Sequence, residues 1–286
     1  MDPVTKISPQ PWMTAPATAA VMAALHAGEE AGLVALFVGG CVRDALLARP
    51  VKDIDIATAE PPETVMERLA AAGIKAIPTG IVHGTVTAVA GKAHFEITTL
   101  RVDVETFGRR ARVAFTDDWA ADAARRDFTI NALFCDPDGT LYDPSGGLAD
   151  LHAGRVRFVG EAEERIREDV LRLLRFFRFH AWYGAGAPDQ AALAACRKLA
   201  PEMVSLSAER VWSELRRMLP APAPVLRLMA DWDVLVHALP EAVDLARLDA
   251  LTQIEDELGE PADAIRCLAA TLTKESGTEG SGAEAL

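Results

Sequence analysis

The sequence predicts an α+β protein: a head of mixed strands and helices over residues 33–160, then an all-helical portion. Three observations carry this. Between residues 33 and 58 an apolar run, a glycine turn, a helical stretch and a second apolar run follow one another, which is the pattern of a strand-turn-helix-strand frame. After Gly160 the apolar period changes from that of strands to that of helices and stays there. Half of the 286 residues are hydrophobic and the mean hydropathy is +0.12, enough for a sizeable core in a chain long enough for two domains.

Taken in order, residues 1–32 form an N-terminal helical extension, because 14–31 are alanine-rich. Residues 33–38, 53–58, 85–90 and 94–100 read as strands, and 63–72 as a helix opened by Pro61-Pro62. Residues 101–116, polar and containing Gly108-Arg109-Arg110, read as a mobile loop. A strand is expected over 130–135, a turn at Pro137-Asp138-Gly139, and a closing strand over 155–159. Beyond it, 161–182 read as one long amphipathic helix, followed by helices over 189–199, 208–219, 224–232 and 245–258. Residues 161–220 thus make a helical neck and 221–286 a partial helical body, whose last small and polar residues, 276–286, are expected to be disordered.

Composition excludes several classes. No apolar run is long enough to span a bilayer. Residues 1–16 are proline-punctuated and lack an apolar core, so no secretory signal is expected. Cys41, Cys135, Cys196 and Cys267 form no CxxC pair, which points to reduced thiols in a cytoplasmic protein and argues against zinc. The net charge of −13 speaks against a polyanion partner, but its distribution does not. Residues 241–286 hold eleven acidic and three basic side chains, whereas 155–180 hold seven arginines. Local charge decides where a nucleic acid docks.

Three motifs carry chemistry. Gly39-Gly40-Cys41-Val42-Arg43-Asp44 follows the first strand, and paired glycines let a backbone approach a phosphate. Asp53 and Asp55 are two apart on the next strand, so both face one way and can hold magnesium. Next, Arg125-Arg126-Asp127-Phe128-Thr129-Ile130-Asn131 places paired guanidiniums where triphosphate oxygens can be bound bidentately. Last, Asp169, Arg172, Arg175 and Arg178 recur every three residues as a stripe on the long helix. A carboxylate accepts from an exocyclic amino group and a guanidinium donates to a ring nitrogen or carbonyl, so Asp169 with Arg172 would admit C and A and reject U and G. Each motif alone has a plainer reading: a turn, a solvated strand end, a basic turn, a salt-bridged surface helix. Their combination on one frame favours the functional one.

These motifs, with Asp150-Leu151-x-x-Gly154 and Glu168-Asp169-x-x-Arg172, resemble in content and order those of class II tRNA nucleotidyltransferases, the CCA-adding enzymes of the bacterial poly(A) polymerase head family. The resemblance covers residues 33–178. It implies a polymerase β-like nucleotidyltransferase head, with Asp53 and Asp55 catalytic and holding two Mg2+ ions. It implies that Gly40, Arg43 and Arg126 contact the triphosphate, and that Asp169 and Arg172 read the base, with Arg175 and Arg178 as nucleotide-binding residues that support the base or the phosphates. Glu96 is a candidate third carboxylate. Residues 103–113 match the flexible segment used in switching from C to A, and residues 150–154 the hinge between head and neck. The implied substrates are CTP, ATP and the tRNA 3′ end. Family members continue through a helical body and tail that hold the tRNA, of which this chain carries a part. A poly(A) polymerase or an A-only adding enzyme shares the same head, and a non-catalytic RNA-binding relic is the reading from a different class.

Overall fold

The apolar runs of the head become strands of one mixed sheet. The computed structural model describes residues 1–27, 33–107, 110–221, 225–242 and 245–272, with backbone alone at 103–107 and 110–112. In chain order the strands are β1 (Pro3–Lys6), β2 (Ala35–Val38), β3 (Ile54–Thr58), β4 (Lys75–Gly80), β5 (Thr85–Ala90), β6 (Ala93–Thr99), β7 (Arg101–Phe107), β8 (Arg110–Phe115), β9 (Phe134–Cys135) and β10 (Thr140–Tyr142). Eight of them make a sheet in the order β1-β10-β9-β2-β3-β6-β5-β4, while β7 and β8 pair with each other. Within the large sheet β3 and β6 run parallel and every other neighbouring pair is antiparallel. Both edge strands are irregular: β1 shifts register between Pro3 and Thr5, and β4 between Ile77 and Gly80.

Strand β2 lies inside the sheet and is buried throughout, which is why it reads as an unbroken apolar run. Around the sheet stand α1 (Pro16–Leu25), α2 (Gly40–Leu46), α3 (Pro62–Ala71), α4 (Trp119–Ala124), α5 (Gly147–His152) and α6 (Ala162–Glu168). Proline at the first position and Glu63 in the first turn start α3, and α1 packs against it. Leu36, Val38, Leu100, Trp119, Ala123 and Phe134 share one core cluster, with Trp119 edge-on to Phe134 at 5.4 Å. Each large side chain buried there contributes roughly 1.5–3 kcal/mol.

The chain divides into two compact units, Met1–Asp169 with Ala185–Ala192, and Val170–Gly184 with Leu193–Leu286. The helices after the head are α7 (Leu171–Tyr183), α8 (Gln190–Leu199), α9 (Ala208–Met218), α10 (Val225–Asp231), α11 (Leu235–Ala238), α12 (Leu245–Leu258) and α13 (Ala264–Thr271). In the second unit α7 buries Leu173, Leu174, Phe176, Phe177 and Phe179 and packs on α9 and α10, and α13 packs on α9 and α12.

The structure corrects four expectations. The single helix over 161–182 is two: Asp169 is extended, with φ −152° and ψ 107°, and separates α6 from α7. Aspartate competes with the backbone for hydrogen bonds and so favours a break. The loop over 101–116 is the β7–β8 hairpin, paired from Arg101↔Phe115 to Phe107↔Arg110. Its Val102, Val104, Thr106 and Val113 are β-branched, a preference that outweighs the polarity of their neighbours. In place of a strand over 130–135 a 3₁₀ turn, Thr129–Asn131, precedes the short β9. The apolar run is buried in either form. The expected strand over 155–159 is only the bridge Phe128↔Phe158. The tail 276–286 and residues 108 and 109 lie outside the described residues.

Candidate active site

The site starts at the end of β2. Gly39 takes φ 71° and ψ −122°, a backbone that L side chains rarely adopt. Its N–H donates to the Leu133 carbonyl at 3.1 Å. A Cβ at residue 39 would stand 3.5 Å from the Asn131 carbonyl oxygen and 3.6 Å from Arg126 Nη1; one at Gly40 would stand 3.6 Å from Arg43 Nη2. Two guanidiniums therefore flank the bare backbone of the turn.

Arg43, from the last turn of the short α2, is buried. Its Nε and Nη2 donate to Asp44 at 2.9 and 3.0 Å, and its Nη1 donates to Asn131 Oδ1 at 2.5 Å. Asn131 is held in turn, because its Nδ2 donates to Asp127 Oδ1 at 3.1 Å. That bond fixes which way the amide faces and leaves its oxygen for Arg43. Arg43 is thus a cationic brace behind the turn, and Asp127 and Asn131 set its position.

Arg126 follows α4. Its Nη2 and Nε donate to Asp122 Oδ2 at 2.8 and 3.1 Å, and Arg125 Nε donates to Asp122 Oδ1 at 2.8 Å. Asp118 caps α4 through bonds to the N–H groups of Ala120 and Ala121. Burial alone would raise the Asp122 carboxyl, but Arg126 and Arg125 outweigh it and hold the group below its ordinary value.

Asp55 sits on β3 and Asp53 just before it. Across the parallel pair Asp55 is in register with Glu96 on β6. Asp53 and Glu96 are exposed and Asp55 is half-buried. Burial, Glu96 and Asp53 together push the Asp55 carboxyl up to about 6, with Arg126 opposing. Negative charge has been gathered here without full compensation. Oxygen-only donors with excess negative charge fit a hard divalent cation. Among the described residues no three His, Cys, Asp or Glu side chains converge enough to hold a metal unaided. Two carboxylates completed by substrate phosphate and water match the usual magnesium pattern. Behind Asp55, the Cys41 thiol contacts the Val38 and Asp55 carbonyls, and burial pushes it up to about 12, so it is no nucleophile.

Residues 35–157 match the family described as "Poly A polymerase head domain", and residues 187–245 the one described as "Probable RNA and SrmB- binding site of polymerase A". The stretch that holds the glycine turn, Asp53, Asp55 and Arg126 is thus similar to that head domain. The zebrafish (Danio rerio) protein named CCA tRNA nucleotidyltransferase 1, mitochondrial, is 48% identical over 184 residues, which are 63% of this chain and 43% of that one. The human (Homo sapiens) protein of the same name is 43% identical over 227 residues, 76% of this chain and 52% of that one. The crystal structure of the Bacillus stearothermophilus CCA-adding enzyme in complex with CTP aligns with a TM-score of 0.63 at 40% identity, over 70% of this chain and 48% of that one. The chain spans about half the length of the curated relatives it matches.

The head brings Gly40, Arg43, Arg126, Asp53, Asp55 and Glu96 onto neighbouring elements of one unit. Asp169 is the extended residue that closes α6. Arg172, Arg175 and Arg178 lie on α7, in the second unit. Arg175 and Arg178 stand over the Phe179 ring at 5.3 and 4.4 Å. Arg178 Nε also donates to the buried Glu214 of α9 at 2.5 Å, so its guanidinium is committed to helix packing. Within the head Asp150 is buried and accepts from Thr129 Oγ1 at 2.7 Å and Arg157 Nε at 3.0 Å. Sequence reasoning gave no role to Asp122 or Asn131. The signal for Asp122 was present, since it precedes Arg125 and Arg126 by three and four residues, the spacing of a helical ion pair.

Proposed function

We propose that the chain adds C and A residues to the tRNA 3′ end without a template, using CTP and ATP. The observation that carries this is the meeting, in one head, of a side-chain-free turn flanked by Arg126 and Arg43 with the Asp53–Asp55 carboxylates. The names of the relatives support the choice of reaction. The division into an N-terminal extension (1–32), head (33–160), neck (161–220) and partial body (221–286) belongs to the same proposal.

Arg126 donates to the triphosphate, while Arg43 holds the Gly39-Gly40 turn at the shape that admits it. Asp53 and Asp55 would hold Mg2+, and Glu96 keeps the field at Asp55 negative. When bound, one Mg2+ ion would acidify the tRNA 3′-hydroxyl and a second would neutralise charge on the leaving pyrophosphate. The hydroxyl oxygen attacks the α-phosphorus in line, the bond to pyrophosphate breaks, and no covalent enzyme intermediate forms. Asp169 accepts from the base amino group and Arg172 donates to the ring nitrogen or carbonyl. Arg175 and Arg178 act by supporting the helix that carries Arg172. Action in the cytoplasm is supported by four buried free thiols. Among the described residues no helix is long and apolar enough to cross a membrane.

The test is incorporation of labelled CTP, and separately ATP, with Mg2+, into tRNA transcripts ending at the discriminator base, at C and at CC. Two C and then one A establish the proposal. A added only to CC ends means an A-adding specialist, and long A tails a poly(A) polymerase. No incorporation by folded protein overturns the catalytic reading.

A further inference from the structure

Asp122 is 1% exposed and its two carboxylate oxygens serve two different parts of the head. Oδ2 accepts from Arg126 Nη2 and Nε. Oδ1 accepts from Arg125 and also from the backbone N–H of Arg101 at 3.3 Å. Arg101 is the first residue of β7, and the hairpin closes where the Thr116 N–H donates to the Leu100 carbonyl at 3.0 Å. Beneath this junction Leu100, Trp119 and Ala123 are packed in the core, so α4 is fixed under the hairpin root. On the other side Arg126 reaches the Gly39 turn and lies within electrostatic range of Asp55.

A carboxylate is a rigid plane. Displacing the Arg101 N–H pulls on Oδ1 and rotates Oδ2, which carries the Arg126 fork with it. We propose that Asp122 is a positioning residue that ties the root of the β7–β8 hairpin to Arg126, so that hairpin placement and triphosphate grip are one linked state. This rests on the reading that Arg126 holds the triphosphate. Linkage makes the effect reciprocal: nucleotide on Arg126 steadies the hairpin root, and a steadied root tightens nucleotide binding.

The test measures CTP and ATP affinity by calorimetry, with Mg2+, on the full chain and on Asp122→Asn, Arg126→Gln and the double variant. Each single change weakens both nucleotides by roughly tenfold, the loss of one charge-assisted contact. The double variant binds no more weakly than Arg126→Gln, because Asp122 acts through Arg126. In parallel, CTP slows hydrogen exchange at the Arg101 and Thr116 amides of the unaltered protein and not of Arg126→Gln, a readout that needs no Asp122 variant to fold. Wild-type CTP affinity in Asp122→Asn, additive losses in the double variant, or indifference of the Arg101 amide to CTP overturns the linkage. Unchanged affinity in Arg126→Gln overturns the triphosphate reading instead, and the two failures are told apart by which variant keeps its affinity.

Discussion

Asp55 on β3 and Glu96 on β6 are register partners across the parallel pair of the large sheet, so two carboxylates face the same way on adjacent strands. Burial and this neighbour push the Asp55 carboxyl up to about 6. The folded state therefore binds that proton more tightly than the unfolded chain. The stability it supplies is complete below about pH 4 and is lost as pH rises through about 6. In metal-free protein Asp55→Asn should raise stability at pH 8 by about 1–3 kcal/mol and leave it nearly unchanged at pH 4. Denaturant titrations at the two pH values measure the difference, and equal shifts at both would remove the electrostatic explanation.

Asp53 is exposed. Asp53→Ala should lower nucleotide transfer by roughly a thousandfold, as loss of a transition-state electrostatic group does. The melting temperature should hardly move. Ordinary turnover by this variant would exclude Asp53 as a ligand.

Asn131 joins Asp127 to Arg43 inside the head. Asn131→Ala leaves a buried donor on Arg43 without that acceptor, and should destabilise the protein by about 1–3 kcal/mol. It should also raise KM for CTP and ATP alike, because the turn is common to both. A KM change for one nucleotide alone would contradict the bracing role.

Asp169 and Arg178 should separate cleanly. Asp169→Ala should admit UTP and GTP, because the carboxylate distinguishes an amino group from a carbonyl. Arg178→Ala breaks the pair with buried Glu214 and should cost about 3 kcal/mol of stability while leaving base choice alone. Competition between the four nucleotides, with melts in parallel, checks both.

The parts of the head encoded locally were legible. Leu36 to Gly40 is a buried strand running into a turn that only glycine tolerates, and that reading needs only neighbouring residues. The break at Asp169 was hidden because apolar spacing carries on through Ile166, Leu173, Leu174 and Phe177 as though the helix were continuous. Among the described residues β1, β4 and β10 went unread, being short or carrying proline, and β1 lies in the stretch expected to be a helical extension. The purpose of Asp122 is a tertiary fact: it depends on Arg101, 21 residues away, reaching the same carboxylate as Arg126.

The two register shifts on the outer strands bear on how the molecule behaves in a crowded solution. An eight-stranded sheet has two open borders, and a flat border is a template on which further chains can assemble. Here β1 carries Pro3 and ends in Lys6, which pairs with Asp138 at 2.6 Å. β4 begins with Lys75 and carries Pro78. Proline lacks the N–H that an added strand would need, the kinks spoil its alignment, and the ammonium groups would lose hydration on docking. The sheet is thus blunted at both ends against the edge-to-edge pairing that lets sheets grow into one another.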